Sequence, residues 1–330
     1  MKAAVVSSFG SAPRYQEFAA PAPAGDGELL VQVLAAGLHP RVRSQADGSH
    51  YTSTGVLPLV PGIDGVGRGP DGQLRYFVLP EEATVGSMAE QTVIETRRSV
   101  VLPASTDPVA VAAAMNPAMS SWVALRQRTR LQAGQDVLVL GATGNAGRMA
   151  IGVARHLGAG RVIAAGRDAE RLADLPADVI VSLEGTVSLE GTVSLEGSVS
   201  FEDAVSLGDI TVAADVDIAL DYLWGEPAVA AMTAILTNRA DRSKPLTWIQ
   251  IGAVAGATAA IPSAALRAAR LDIIGSGQGS VSPREYLAEL PALAEQISAG
   301  TFDVNASAVP LADVEQAWAA RTSQRIVLVP

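Results

Sequence analysis

The chain is 330 residues long, with 34 acidic and 24 basic residues for a formal charge of -10. That length predicts two domains, each able to bury its own core, and the acidic balance argues against a nucleic-acid or anionic-membrane surface. Cysteine is absent, which removes disulfides, thiolate zinc sites and cysteine nucleophiles.

The N-terminal run Met1-Lys2-Ala3-Ala4-Val5-Val6-Ser7-Ser8 has one positive charge and too few apolar residues for a signal peptide. It reads as a first strand, and a cytoplasmic location is expected. Residues 1–115 are strand-like with frequent glycine and proline. Leu29–Ala35 alternates, Leu74–Leu79 and Met88–Ile94 resemble short strands, and Gly25-Asp26-Gly27 and Pro70-Asp71-Gly72 mark turns. The long apolar stretch Val109–Leu125 is interrupted by Asn116, Pro117, Ser120 and Ser121. It reads as a buried helix pair rather than a membrane span.

From about residue 117 the texture becomes α/β. Strands are predicted at 137–140, 161–165, 178–182, 216–220, 247–251 and 271–275, alternating with helices. Right-handed crossovers would lay them as a doubly wound parallel sheet of six strands. A helix at 283–299, a second at 311–320 and a closing strand at 325–329 would pack back on the first domain. The expected division is 1–116 with 278–330 as a mostly β domain, and 117–277 as the nucleotide-binding domain. Residues 181–210 break the pattern as five hexads, VSLEGT, VSLEGT, VSLEGS, VSFEDA and VSLGDI. They fall where a crossover helix belongs and read as a repeat-expanded connection.

Residues 136–167 carry the chemistry. The apolar strand Val137–Leu140 runs into Gly141-Ala142-Thr143-Gly144-Asn145-Ala146-Gly147, then a helix, then a second apolar strand. Ala142 stands at the first glycine of G-x-G-x-x-G, so the pattern is A-x-G-x-x-G. A strand–turn–helix–strand unit of about 30 residues is the context a dinucleotide turn requires. Gly144 and Gly147 let the backbone approach a pyrophosphate, and the helix N-terminus directs N–H groups at the phosphates.

The second strand bears on which dinucleotide binds. An NAD site usually ends it with Asp or Glu; here it ends Gly166-Arg167-Asp168, with Arg171 one turn on. A guanidinium fork matches the oxygens of a 2′-phosphate, and Gly166 would leave room for that group, so NADP(H) is favoured. Asp221 ends the fourth strand and Tyr222 follows it, and either could approach the cofactor; Gly252-Ala253 and Gly275-Ser276 end the fifth and sixth, at the carboxyl edge where the nicotinamide half should lie.

These segments resemble the medium-chain dehydrogenase/reductase superfamily, specifically its zinc-free quinone oxidoreductase and enoyl-reductase branches. The resemblance rests on Ala35-Ala36-Gly37-Leu38-His39-Pro40, Leu57-Pro58-Leu59-Val60-Pro61-Gly62-Ile63-Asp64-Gly65-Val66-Gly67, Gly86-Ser87-Met88-Ala89-Glu90, the A-x-G-x-x-G turn and Arg325-Ile326-Val327-Leu328-Val329-Pro330. It implies a GroES-like β domain beside a Rossmann domain, with the active site between them. Zinc-dependent relatives have Cys where this chain has His39 and His-Glu where it has Ile63-Asp64, so no metal is expected. Without a Lewis acid, reduction of an electron-poor C=C or quinone is favoured over alcohol oxidation.

The resemblance also implies roles. Tyr51 matches a tyrosine near the nicotinamide that could donate a proton. Asn116, Ser120 and Ser121 lie in a segment where a hydroxyl contacts the nicotinamide, with the choice of serine open. His39 lines the substrate pocket or is an ordinary polar residue at a strand end. Arg41 and Arg43 favour an anionic substrate or form a solvated edge. The expected activity is zinc-independent, NADPH-dependent hydride transfer to a quinone or α,β-unsaturated carbonyl. The alternatives are a zinc-free ketone or alcohol dehydrogenase, or a non-catalytic NADPH-binding protein. A homodimer paired through 271–275 is expected.

Overall fold

The computed structural model describes residues 1–50, 53–183 and 210–330. They cluster into two units, Met1–Pro117 with Leu287–Pro330, and Ala118–Tyr286. In the first unit β1 (Lys2–Val5) pairs antiparallel with β2 (Arg14–Glu17). The spine is β3 (Glu28–Gly37), where Val31 and Val33 face inward and Gln32 outward, as period-two alternation requires. Helix α1 (Pro40–Ala46) opens on proline, whose missing N–H costs nothing at a first position. Strands β4 (Asp64–Arg68) and β5 (Leu74–Val78) extend the sheet from β3. Next, β6 (Gln91–Glu95) pairs with the first half of β3, and β7 (Ser99–Val101) pairs with β5.

Helix α2 (Pro108–Val123) corrects the expected helix pair: it is one helix, with Pro117 inside it, continued by a π-helical turn over Ala124–Arg128. Residues 108–128 are long and apolar enough to cross a membrane, but 72% of the most apolar window is buried, as in a core helix.

In the second unit β8 (Val137–Leu140), α3 (Asn145–His156), β9 (Val162–Gly166), α4 (Ala169–Ala173) and β10 (Val179–Ser182) form the first half. The second half is β11 (Ile218–Asp221), α5 (Gly225–Asn238), β12 (Leu246–Gln250), α6 (Ala265–Ala268) and β13 (Leu271–Gly275). All pairings are parallel, in the order β10-β9-β8-β11-β12-β13. Every residue of β8 is buried, because a doubly wound sheet is covered on both faces. The order reverses between β8 and β11, so a crevice forms beyond their carboxyl ends.

Residues 184–209 of the hexad segment lie outside the described residues. The chain is described again at Ile210, and buried Arg239 fixes its entry to β11. That guanidinium donates to the carbonyls of Ala214 (2.6 Å), Val216 (2.9 Å) and Pro245 (3.0 Å). A buried charge is tolerated when hydrogen bonds replace its water.

After α7 (Pro283–Ser298) come β14 (Ala306–Pro310), α8 (Val314–Ala319) and β15 (Arg325–Val329). The last strand runs parallel to β14 and antiparallel to β3, with Val327 opposite Gly37 and Leu328 opposite Ala36. Chain end and spine thus share one sheet, ordered β14-β15-β3-β4-β5-β7 with β6 also on β3.

Candidate active site

The glycine turn joins β8 to α3. Gly147 is buried; a Cβ there would collide with the Gly141 carbonyl oxygen and lie 2.7 Å from Ala142 Cα, so only glycine lets the helix pack this close to the strand. Gly144 caps the helix with no side-chain cap bond, and the N–H groups of Asn145, Ala146 and Gly147 have no helical carbonyl one turn back. That leaves a cradle of donors with the positive dipole end behind it, which fits a pyrophosphate. Two backbone N–H groups of the turn are already engaged. The Ala142 N–H donates to Ala165 O (3.0 Å) and its side chain is fully buried, so Ala142 belongs to the strand junction. The Gly144 N–H donates to Gly141 O (3.1 Å), which closes the turn.

At the end of β9, Arg167 and Arg171 are both exposed. Arg171 donates from its guanidinium to the carbonyl of Thr143, and Asp168 caps α4 by accepting from Arg171 N at 3.0 Å. The second arginine is therefore tied to the glycine turn. A Cβ on Gly166 would lie 3.2 Å from Thr143 Cγ2 and 3.4 Å from Leu172 Cδ2. Gly166 is small so that these side chains can pack.

At the end of β11 the chain makes an elbow. Asp221 is fully buried; its Oδ1 accepts from Leu223 N (2.8 Å) and Trp224 N (2.9 Å), and its Oδ2 from Trp248 Nε1 (2.9 Å). Burial nevertheless raises its pKa, against the lowering effect of those bonds. Trp224 has φ 53° and ψ -168°, a conformation costly for any residue with a Cβ, so the elbow is held under strain. It directs Tyr222 to α2, where its hydroxyl lies 3.0 Å from Ser120 Oγ. Burial pushes the phenol up to about 12, opposed by hydrogen bonds from Ser120 and Ser121. Tyr222 also abuts the turn, since a Cβ on Gly141 would lie 3.3 Å from Tyr222 Cβ.

Between the two serines the geometry favours Ser120, which is half-buried. Ser121 is fully buried and donates to Ala118 O (3.1 Å), with its hydroxyl also acting on the Tyr222 phenol. Asn116 is half-buried, one turn earlier on α2. Gly252 follows β12, with its carbonyl accepting from Gln250 Nε2 (3.0 Å); Ala253 is exposed. Ser276 is buried with its N–H on Gln250 O (2.8 Å), and Gly275 is exposed.

In the first unit, His39 takes the form of the second of its two readings, a buried polar residue just after β3. It is 2% exposed, its Nε2 lies 3.2 Å from Asp64 Oδ1, and Tyr76 donates its hydroxyl to Asp64 Oδ2 at 2.8 Å. Burial holds the imidazole below its ordinary pKa, opposed by Asp64. Nearby Arg325 is lowered to about 10 by burial and donates to Leu38 O (2.9 Å). His39, Asp64 and Tyr76 thus form a buried hydrogen-bonded group within the β domain. Arg41 pairs with Glu81 at 3.2 Å, and Arg43 lies over the Trp318 ring at 5.2 Å while donating to the Trp318 carbonyl. Tyr51 lies outside the described residues.

The sequence marks Asp221 only as the end of the fourth strand, a residue that could approach the cofactor, and it misses Trp224, Trp248 and the elbow that the three build. An aspartate at a strand end before a bulky triplet carries no motif, and its role becomes visible only when β11 and β12 pair.

A doubly wound parallel sheet opening on such a turn is the architecture of a dinucleotide-binding domain. No protein-family model matches the chain. It is 30% identical over 371 aligned positions, spanning 100% of both proteins, to a probable NADPH-dependent quinone reductase of Emericella nidulans. It is 28% identical over 162 residues, 44% of this chain and 42% of the relative, to a chloroplastic NADPH-dependent alkenal/one oxidoreductase of Arabidopsis thaliana. Among solved structures, a Thermus thermophilus quinone oxidoreductase, described with its NADPH complex, superposes with a TM-score of 0.77 at 22% identity, over 100% of both chains. The chain belongs to the quinone and enone reductase branch of the medium-chain dehydrogenase/reductase superfamily.

Proposed function

We propose that the protein is a zinc-independent, NADPH-dependent reductase of quinones or α,β-unsaturated carbonyls. The observation that carries this reading is the meeting of the glycine turn with the Ser120–Tyr222 hydroxyl pair at the point where strand order reverses. The names of the full-length and partial relatives support the same reaction class and cofactor.

When bound, NADPH supplies the hydride. The N–H groups of Asn145, Ala146 and Gly147 bind the pyrophosphate, and Arg167 and Arg171 pair with the 2′-phosphate. Tyr222, Ser120, Asn116, Gly252, Ala253, Gly275 and Ser276 line the nicotinamide half. The Tyr222 phenol stays protonated through neutral pH and serves as a donor rather than a base. Tyr51, or solvent in its place, delivers the proton to the developing enolate or hydroquinone; this role rests on the family resemblance. Zinc independence is supported by the donor set: cysteine is absent, Ile63 cannot ligate, and Asp64 is engaged by His39 and Tyr76. A cytoplasmic homodimer paired through β13 completes the proposal.

Titration with both cofactors tests the assignment. Arg167→Ala is expected to weaken NADPH by about tenfold while leaving NADH nearly unchanged, because only NADPH carries the phosphate. An equal effect on both cofactors would remove Arg167 from the site.

A further inference from the structure

The π-helical turn at Ala124–Arg128 prolongs α2 beyond Ser120. Such turns shift the side chains that follow them and concentrate at functional sites. Arg128 is the last residue of this turn. Its Nε donates to Gly275 O at 3.0 Å and its Nη1 to Ser280 O at 3.1 Å. Those carbonyls mark the two ends of Gly275-Ser276-Gly277-Gln278-Gly279-Ser280, the segment that leaves β13 at the carboxyl edge of the sheet.

Nothing lies within 4 Å of a Cβ built on Gly275, Gly277 or Gly279, so neighbouring protein atoms do not require glycine there. Each glycine instead raises the conformational entropy lost when the segment is ordered. Within the segment Ser280 Oγ accepts from Gly277 N (2.9 Å) and donates to Gly277 O (2.7 Å), and Ser276 N is tied to Gln250 O. These bonds shape each half. The guanidinium fork joins the two ends, and its charge strengthens both bonds.

We infer that Arg128 is a positioning residue for the cofactor, clamping the 275–280 segment in the conformation that receives the nicotinamide half of NADPH. The inference rests on the NADPH reading above. One helix then serves the site twice, with Ser120 set against Tyr222 and Arg128 set against the segment after β13. The bare space over the glycines is the room a flat ring and its carboxamide need to lie against backbone.

Calorimetric titration with NADPH and with adenosine 2′,5′-bisphosphate, which has only the adenosine half, tests this in the intact protein. Arg128→Met is expected to weaken NADPH by about tenfold and leave the bisphosphate unchanged, and Arg128→Lys to recover part of the loss. Unchanged NADPH affinity in Arg128→Met would overturn the inference. So would an equal loss of both ligands, which would make Arg128 a general prop of the domain. Failure of the unaltered protein to bind either ligand would overturn the NADPH reading itself, and this inference with it.

Discussion

Burial keeps the His39 imidazole neutral, below its ordinary pKa, even though Asp64 pulls the other way. The unfolded chain therefore binds a proton at His39 that the folded chain refuses. Stability from this group is present above the unfolded value of about 6.5 and is lost as pH falls through it. The melting temperature is expected to fall less between about pH 7.5 and 5.5 in His39→Asn than in the unaltered protein; an identical slope would show that His39 is not the linked group. The Tyr222 phenol, pushed up to about 12, should add no ionisation to the kcat profile below about pH 10. A limb near that pH that vanishes in Tyr222→Phe would contradict the protonated donor. At this scale the sequence named the residue types but not their orientation. Ser120 and Ser121 are adjacent, and only the rotation of α2 leaves Ser120 half-buried with its hydroxyl on Tyr222 while Ser121 is fully buried and also bonded to Ala118 O.

Secondary-structure elements were more legible. The runs Val137–Leu140, Leu271–Gly275 and Arg325–Val329 form strands because short apolar segments between turns have few other ways to bury themselves. Helix α2 was read as two because Pro117 removes a backbone donor and should break a helix. Burial of Met115, Ala118, Met119 and Trp122 keeps it continuous. The glycine turn carries the sharpest prediction at this scale. Gly147→Ala places a methyl against backbone at Gly141 and Ala142 rather than against a movable side chain. A loss of about 2 kcal/mol of stability is expected, with NADPH affinity reduced by displacement of α3. Unchanged melting and affinity would mean that the turn is looser than its contacts indicate.

Across the whole molecule, two textures in the sequence became two clustered units, with the last strand returning to pair with β3. Doubly wound order follows from alternating strands and helices, which is why architecture could be read without any contact information. The Asp221 elbow could not be read that way, since it depends on Trp248 arriving from the neighbouring strand. The central claim is that this chain reduces activated C=C or quinone substrates with NADPH and no metal. It is tested by following NADPH oxidation with a benzoquinone and a simple vinyl ketone, before and after exhaustive chelation and with NADH as comparison. Turnover that prefers NADPH and survives chelation is the predicted result; turnover abolished by the chelator, or absent with both substrates, would contradict it.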